Sequence, residues 1–502
     1  MKNARTQRPL ATEIELKLAL PTTDPASLEQ RLARLPLLAR RKASHQVLHN
    51  IYFDTPDDAL RQRRMALRLR RVGDVAQPQW LQTLKVGGSD DSALSRRGEW
   101  EHAVAHAALS LPLLQTTPWP ELDPNGAIFR SLEPRFTTDF QRTRWTVRQR
   151  NGSVIEVALD VGHIILGAHT APLCELELEL LAGDAEALLE VASRIARQIA
   201  VLPLGSSKAE RGYALARHEL HQPRRAQPPV LAPRTPQTVA AAQVLREIWG
   251  QFTHNLVTLQ FDEDPELVHQ TRVAWRRFRS ALKLFKRTEW VQAAPAWQGL
   301  RPLLQALGDL RDLDVAHLET LPMLANAYAA GDRVRQTHWC AMQEALVHAT
   351  DRQRHRARTA LLDPAVGADL LATTTWLERG LATHHADTTD EGRKPNLRRW
   401  AQGQVTRLRE QLKASLKDVE HPLSAHRARI LSKRLRYAIE SLRPLLPKRR
   451  CQRWYQQAVR VQGELGVQRD LQQALEMTAR LQAHAGLQEF LRGVQARMDQ
   501  AR

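Results

Sequence analysis

The segment Glu13-Ile14-Glu15-Leu16-Lys17 alternates charged and apolar residues, and the same alternation returns in Glu175-Leu176-Glu177-Leu178-Glu179. Successive side chains of an extended strand point to opposite faces. Glu13, Glu15 and Lys17 therefore share one face, and the three later glutamates share another. Carboxylates gathered this way cannot line a dry core unpaired, because burying an unpaired charge is expensive. They face water, or they face a cavity that holds cations. Other alternating segments between and after these carry the opposite sign. Arg68 and Arg70 flank Leu69, Lys85 closes Thr83-Leu84-Lys85, Arg142 and Arg144 flank Thr143, and Lys208 and Arg211 follow. Arg97-Gly98-Glu99-Trp100-Glu101 alternates as well. One such strand is commonly the solvated face of an antiparallel sheet. Many of them, rich in Glu and Arg rather than Lys, Ser and Thr, suggest a closed barrel with a polar lumen. Glutamates suit a hard divalent cation such as Mg²⁺ or Mn²⁺. Arginines and lysines suit a strongly anionic ligand, phosphate being the usual one.

The charge is unevenly spread. Of the 73 Lys+Arg and 54 Asp+Glu in 502 residues, residues 1–220 hold 29 and 26, and residues 221–502 hold 44 and 28. An anion-attracting field is thus expected in the second half. Residues 221–236, with five prolines, read as an extended, semi-rigid linker. The three cysteines, Cys174, Cys340 and Cys451, are far apart and odd in number, which suits neither a disulfide framework nor a metal-spaced pair. A reducing cytoplasm is the expected location. The basic start is not followed by an apolar stretch of leader length, and no apolar run approaches the ~18 residues of a membrane span. Neither a leader nor a membrane partner is expected.

After the linker the hydrophobic period changes from two to about 3.6, which predicts an all-helical region. A spacing also recurs in it. His269, Arg272, Arg276 and Arg279 match His426, Arg429, Lys433 and Arg436, and Leu307-Gly308 with Arg311-Asp312 matches Leu465-Gly466 with Arg469-Asp470. An internal two-fold repeat of a helical unit is expected. At about 100° per residue each basic set, the first extended by Lys283, forms a narrow ridge, backed by apolar residues such as Trp275, Phe278 and Phe285, or Leu431, Leu435 and Leu442. Like charges one turn apart repel, so two such ridges invite a polyanion. Lys433 stands where the first set has Arg276, which softens bidentate phosphate binding. A polar loop is expected over 383–396.

The first half resembles the CYTH superfamily, the triphosphate tunnel metalloenzymes. The resemblance rests on Glu13-x-Glu15-x-Lys17, Tyr52-Phe53-Asp54-Thr55-Pro56, Leu67-Arg68-Leu69-Arg70, Thr83-Leu84-Lys85, Arg97-x-Glu99-x-Glu101, Asp160, the Glu175–Glu179 strand and Ser207-Lys208-x-x-Arg211-Gly212-Tyr213, in that order. The second half resembles the CHAD domain. Together they imply an α+β chain of two domains: an eight-stranded antiparallel tunnel with flanking helices over 8–218, a linker over 219–236, and a helical domain over 237–500. The resemblance further implies that Lys17, Arg68, Arg70, Lys85, Arg142, Lys208 and Arg211 hold phosphate. Glu13, Glu15, Asp160, Glu175, Glu177 and Glu179 would hold Mg²⁺ or Mn²⁺, with Glu13, Glu15, Lys17 and Lys85 closest to the chemistry. The two basic ridges would hold inorganic polyphosphate. The implied activity is inorganic triphosphate hydrolysis. Two alternatives stay open: a polyphosphate-binding scaffold with weak hydrolysis, and a CYTH enzyme acting on thiamine triphosphate or ATP, which needs an aromatic pocket that Trp80 or Trp145 would supply, strand alternation placing Trp100 on the outer face, away from Glu99 and Glu101. Nucleic acid is a disfavoured partner, since no base-reading motif accompanies the basic residues, and a homodimer is compatible with the sequence.

Overall fold

The computed structural model describes residues 12–22, 24–73, 78–87, 92–385, 396–418 and 422–500. Most of the expected loop over 383–396 lies outside the described residues. The chain divides into two compact units, 1–222 with 362–374, and 223–361 with 375–502.

The first unit is a closed antiparallel barrel. Its strands are β1 (Thr12–Ala19), β2 (Ser44–Asp54), β3 (Met65–Val72), β4 (Gln79–Val86), β5 (Leu94–Val104), β6 (Glu133–Arg148), β7 (Val154–Leu166) and β8 (His169–Ala182). They run in the order β5-β4-β3-β2-β6-β7-β8-β1, and β1 pairs with β5 to close the ring. A two-residue β9 (Leu202–Pro203) adds to β1. The period-2 pattern has an unusual consequence here. The charged faces turn inward, so the larger apolar core lies outside the barrel wall, while a smaller cluster of Tyr52, Phe136, Phe140, Ile164 and Leu173 packs with Ala209 and Tyr213. Leu16, Leu18, Leu176, Leu178, Val157 and Leu159 point outward and are covered by Leu188, Val191 and Ile195 of α1 (Ala185–Ala196). Residues 362–374 return to this unit, and Leu371 joins the same core. No pattern in the first half announces that return.

A second helix, α2 (Lys208–Ala216), is started by a capping box between Ser207 and Glu210, which satisfies its first free N–H groups. Gly212 lets it lie on Phe136, since a Cβ there would stand 2.1 Å from the ring. Phe136 in turn stacks on Tyr52 and meets Tyr213 edge-on. The fully buried Asp54 ties this corner together. It accepts backbone N–H bonds from Thr55 (2.7 Å), Leu60 (2.8 Å) and Arg61 (3.0 Å), and the Tyr213 hydroxyl at 2.8 Å. Burial, followed by the Asp54 charge, holds the Tyr213 phenol well above its ordinary value.

The second unit is helical: α3 (Gln237–Thr258), α4 (Pro265–Leu284), α5 (Arg301–Asp314), α6 (Arg333–Ala360), α7 (Pro364–His385, whose start belongs to the first unit), α8 (Leu397–Ser415), α9 (Pro422–Leu442), α10 (Lys448–Arg480) and α11 (Ala485–Gln500) are its longer elements. Trp249, Phe252, Trp275 and Phe278 pack at centroid distances of 5.1–5.9 Å. The proline-rich stretch forms no helix or strand through 223–232, yet part of it is docked. Asn255 and Glu247 of α3 accept the N–H groups of Arg224 (2.8 Å) and Gln227 (3.0 Å). Extended chain has no internal hydrogen bonds, and these side chains supply the missing partners. The aligned segments fall on helices, 269–279 on α4 and 426–436 on α9, 307–312 on α5 and 465–470 on α10. Among the described residues no helix is long and apolar enough to cross a membrane.

Asp54→Ala would leave a tyrosine hydroxyl and three backbone donors without a buried acceptor. We expect a loss of about 3 kcal/mol, read as a lower unfolding midpoint with faster amide exchange over 208–216. Tyr213→Phe removes one bond and is expected to lose only about 1 kcal/mol. Equal losses for the two variants would refute the assigned role of Asp54.

Candidate active site

The barrel lumen is a cavity of about 470 Å³ lined from all eight strands and from α2. β1 delivers Glu13, Glu15 and Lys17 into it, and β8 delivers Glu177 and Glu179. Registry places Asp160 opposite Glu175, and Lys17 opposite Glu177. The inward positions thus form two charge networks.

The first network is built on three carboxylates. Asp160, Glu175 and Glu177 offer oxygens within 4.8 Å of one another. Arg142 grips Asp160 through two bonds, Nε to Oδ1 at 2.7 Å and Nη2 to Oδ2 at 2.6 Å, and also donates to Glu177. Lys208 stands 2.6 Å from Asp160, 2.7 Å from Glu177 and against Glu175, and Arg211 donates to Glu175. Burial pushes the Glu177 carboxyl up, but the Lys208 and Arg142 charges outweigh it and hold the group well below its ordinary value. Lys208 lies above its own ordinary value despite burial, because Asp160, Glu175 and Glu177 surround it.

The second network is built on β1, β4 and β5. Lys85 donates to both oxygens of Glu13 at 2.9 Å and lies 3.1 Å from Glu99. Arg97 bridges Glu13 at 2.8 Å and Glu15 at 2.5 Å. Lys17, 2% exposed, is 3.9 Å from Glu15. Glu179 belongs on this side rather than in the three-carboxylate cluster. Burial, then Glu13 and Glu99, push its carboxyl up to about 7.

The arginines of β3 are less fully compensated. Arg68 is 3.7 Å from Glu99, and Arg70 is 4.0 Å from Glu101 with a 2.8 Å bond to Asn50. Burial, then Arg68 and Arg142, bring the Arg70 guanidinium down to about 10. The buried Nε atoms of Arg68, Arg144 and Arg211 have no hydrogen-bond partner among the described residues. A lumen that keeps cationic donors unfilled is built to receive an anion. The three carboxylates, Asp160 and Glu175 buried and Glu177 half-buried, offer hard oxygen donors of the kind Mg²⁺, Mn²⁺ or Ca²⁺ prefers.

Every barrel residue anticipated from the pattern reaches the lumen or its acidic cluster. Sequence reading gave no role to Arg97, Glu99, Glu101, Tyr52 and Glu156, which also line the cavity. Arg97, Glu99 and Glu101 alternate visibly, but their partners are set by register with β1 and β4. Of the tryptophans, Trp145 is buried in the outer core, and neither Trp80 nor Trp100 lines the cavity. Tyr52 is the aromatic there.

In the helical unit the two basic stripes meet rather than run apart. Arg276 of α4 acts electrostatically on Arg429 and Lys433 of α9, and Arg469 of α10 acts on Arg272, Arg429 and Lys433. Arg311 of α5 acts on His269 and Arg272. Burial, then Arg429, Arg276, Arg469 and Arg436, push the Lys433 ammonium down to about 7. The Nε atoms of Arg276 and Arg436 are buried without a hydrogen-bond partner among the described residues. Arg279 and His426 are exposed and stand outside this convergence. Arg311 and Arg469 were visible as repeated residues but carried no ridge pattern of their own.

Residues 11–213 match the family model of the CYTH domain, and residues 243–479 match that of the CHAD domain. The chain carries a CYTH domain and a CHAD domain. An inorganic triphosphatase of Haemophilus influenzae is 33% identical over 214 residues, which cover 40% of this chain and 54% of that protein. The chain therefore spans about half the length of this curated relative. Among solved structures, the CHAD domain of Ricinus communis is 27% identical with a TM-score of 0.47, covering 56% of this chain and 93% of that one. A Hippeastrum protein described as a candidate adenylyl cyclase with a dominant triphosphatase activity is 22% identical with a TM-score of 0.30, covering 41% and 95%.

Lys433 gives this CHAD domain a pH signature. Its ordinary value is 10.5 and its folded value about 7. Between these the folded state binds fewer protons than the unfolded state, so stability rises with pH across that window and levels off above it. Lys433→Met is expected to abolish this rise. Unfolding midpoints measured from pH 6.5 to 10 would show it, and an unchanged slope in the variant would contradict the assignment.

Proposed function

We propose that this protein is a metal-dependent inorganic triphosphatase that hydrolyses triphosphate to pyrophosphate and phosphate, and that its CHAD domain binds inorganic polyphosphate. The observation that carries the reading is the lumen itself, where a cluster of three carboxylates lies beside lysines and arginines, and the buried Nε donors of Arg68 and Arg144 are unfilled among the described residues. The resemblance to an inorganic triphosphatase supports it. Residues 8–218 would form the catalytic domain, 219–236 the connection, and 237–500 the polyphosphate-binding domain. The three unpaired cysteines suit a reducing cytoplasm.

Phosphoryl transfer is mostly positioning and charge stabilisation. Asp160, Glu175 and Glu177 would hold Mg²⁺ or Mn²⁺, with Glu13, Glu15 and Glu179 as further carboxylates. When bound, such an ion neutralises phosphate charge and makes water a better nucleophile. The protein's own groups do the rest. Lys17, Arg68, Arg70 and Lys85 grip phosphate oxygens. Arg142, Lys208 and Arg211 exchange carboxylate partners for phosphate and offset the charge of the departing pyrophosphate. Water attacks the terminal phosphorus, the bridging P–O bond breaks, and a lumen carboxylate takes the proton. An organic triphosphate is the weaker reading, because none of the three tryptophans lines the cavity.

Phosphate release from triphosphate, ATP, thiamine triphosphate and long-chain polyphosphate tests the reading. Triphosphate is the expected substrate, with activity lost on chelation and restored by Mg²⁺ or Mn²⁺. Glu13→Ala/Glu15→Ala should lower the rate at least about 100-fold. Absence of turnover on all four substrates would sink the enzyme reading and favour the scaffold.

For the helical domain, Arg276→Ala/Arg429→Ala is expected to weaken polyphosphate binding about 100-fold. Binding at pH 8 should take up protons, because the polyanion restores the Lys433 charge. Calorimetry in buffers of different ionisation enthalpy measures this. Tight binding by the double variant would remove the convergence on α4 and α9 as the binding locus.

A further inference from the structure

A separate hollow lies between α4, α8 and α9, with a volume of about 150 Å³, against about 470 Å³ for the lumen. Four cations line it: Lys283 and Lys286 at the end of α4, Arg407 on α8 and Arg434 on α9. The lining contains no carboxylate, and among the described residues none of the four makes an ion pair or side-chain hydrogen bond. Elsewhere in this unit Arg277 has Glu247 as an acidic partner and Arg436 has Glu440. Lysines at a helix C-terminus are explained by the helix dipole. That accounts for Lys283 and Lys286. It does not account for Arg407 and Arg434, which sit mid-helix and point at the same hollow.

The rest of the lining suits a small oxyanion. Ser280, Gln404 and Gln411 supply a hydroxyl and two amides, the usual neutral donors to phosphate oxygens. Gln404, Arg407 and Gln411 are spaced three and four apart, which puts them on one face of α8. Leu408, 8% exposed, and Ala438, 2% exposed, form an apolar floor that limits depth. None of the residues that converge around Arg276, Arg429 and Lys433 lines this hollow. Lys283 lies seven residues past Arg276, about 10 Å along α4.

We propose that this hollow is a second anion site that takes a compact phosphate anion, orthophosphate or pyrophosphate, apart from the locus proposed for long polyphosphate. The inference does not rest on what the lumen hydrolyses.

Hydrogen exchange of the full chain tests it, with orthophosphate, pyrophosphate, long-chain polyphosphate and sulfate added separately at matched ionic strength. The expected result is about tenfold slower exchange over 280–286, 404–411 and 434–438 with pyrophosphate or orthophosphate; which of the two protects more names the ligand. Arg407→Gln/Arg434→Gln should lose that protection while keeping the wild-type unfolding midpoint and any protection over 13–17. Arg276→Ala/Arg429→Ala should keep it. No protection of the wild type, protection that survives in Arg407→Gln/Arg434→Gln, or an equal effect from sulfate would overturn the proposal. Protection by the long chain alone would also overturn it, making the hollow a stretch of the polyphosphate track.

Discussion

Everything in the first unit depends on charge compensation inside a closed ring of strands. Eight strands that turn their charged faces inward can stay folded only if nearly every charge finds an opposite one, since an isolated buried charge is prohibitive. Much of the pairing is cross-strand. Arg97 of β5 holds Glu13 and Glu15 of β1, and Arg142 of β6 holds Asp160 of β7. One essential cation comes from no strand at all. Lys208 sits on α2, and the three-carboxylate cluster gathers around it. The corner formed by Asp54, Tyr213 and Phe136 therefore has an electrostatic consequence, because it fixes the helix that carries Lys208. The same inversion of polarity moves the larger hydrophobic core outside the wall, where α1 and the returning segment 362–374 cover it.

Where compensation is incomplete, both units show the same signature by different means. Arg70 in the barrel and Lys433 in the helices are each buried beside more cations than anions, and each is brought down toward neutrality. Unfilled Nε donors accompany them, on Arg68 and Arg211 in one case and on Arg276 and Arg436 in the other. A barrel reaches this state by aligning inward positions of neighbouring strands. A helical unit reaches it by bringing α4, α5, α9 and α10 to one locus. The common feature is a positive field held in place by packing, which favours an anion without reorganisation when it arrives.

The barrel was legible because a period of two assigns each strand residue to a face without knowledge of its neighbours. Glu13, Glu15, Arg68, Lys85 and Arg142 could be placed inside from their own segments. Who meets whom could not. Glu177 and Glu179 look equivalent in sequence and register sets them opposite different residues, yet Lys208 and Arg142 outweigh burial to hold Glu177 well below its ordinary value, whereas burial, then Glu13 and Glu99, raise Glu179. In the helical unit the 3.6 period gave each ridge, but the crossing of helices decides that the ridges converge and that Arg311 and Arg469 join them. Docking of Arg224 and Gln227 on α3, and the return of 362–374, rest on contacts between residues too distant in the chain for any local pattern to register.

Internal pairing also bears on which anions the lumen accepts under the proposed reading. Lys208, Arg142 and Arg211 are already engaged with carboxylates, so a ligand enters only by exchanging those bonds for its own. A single phosphate offers too few oxygens and too little charge to replace contacts spread over β3, β4, β6 and α2. A triphosphate would engage several of these positions at once and offer phosphate oxygens in place of the carboxylates released. A divalent ion held by Asp160, Glu175 and Glu177 would balance the carboxylates set free. Under that proposal, selectivity for a short, highly charged chain would follow from the ion pairs of the lumen, because the contacts that stabilise the barrel are the ones that weaker anions fail to displace.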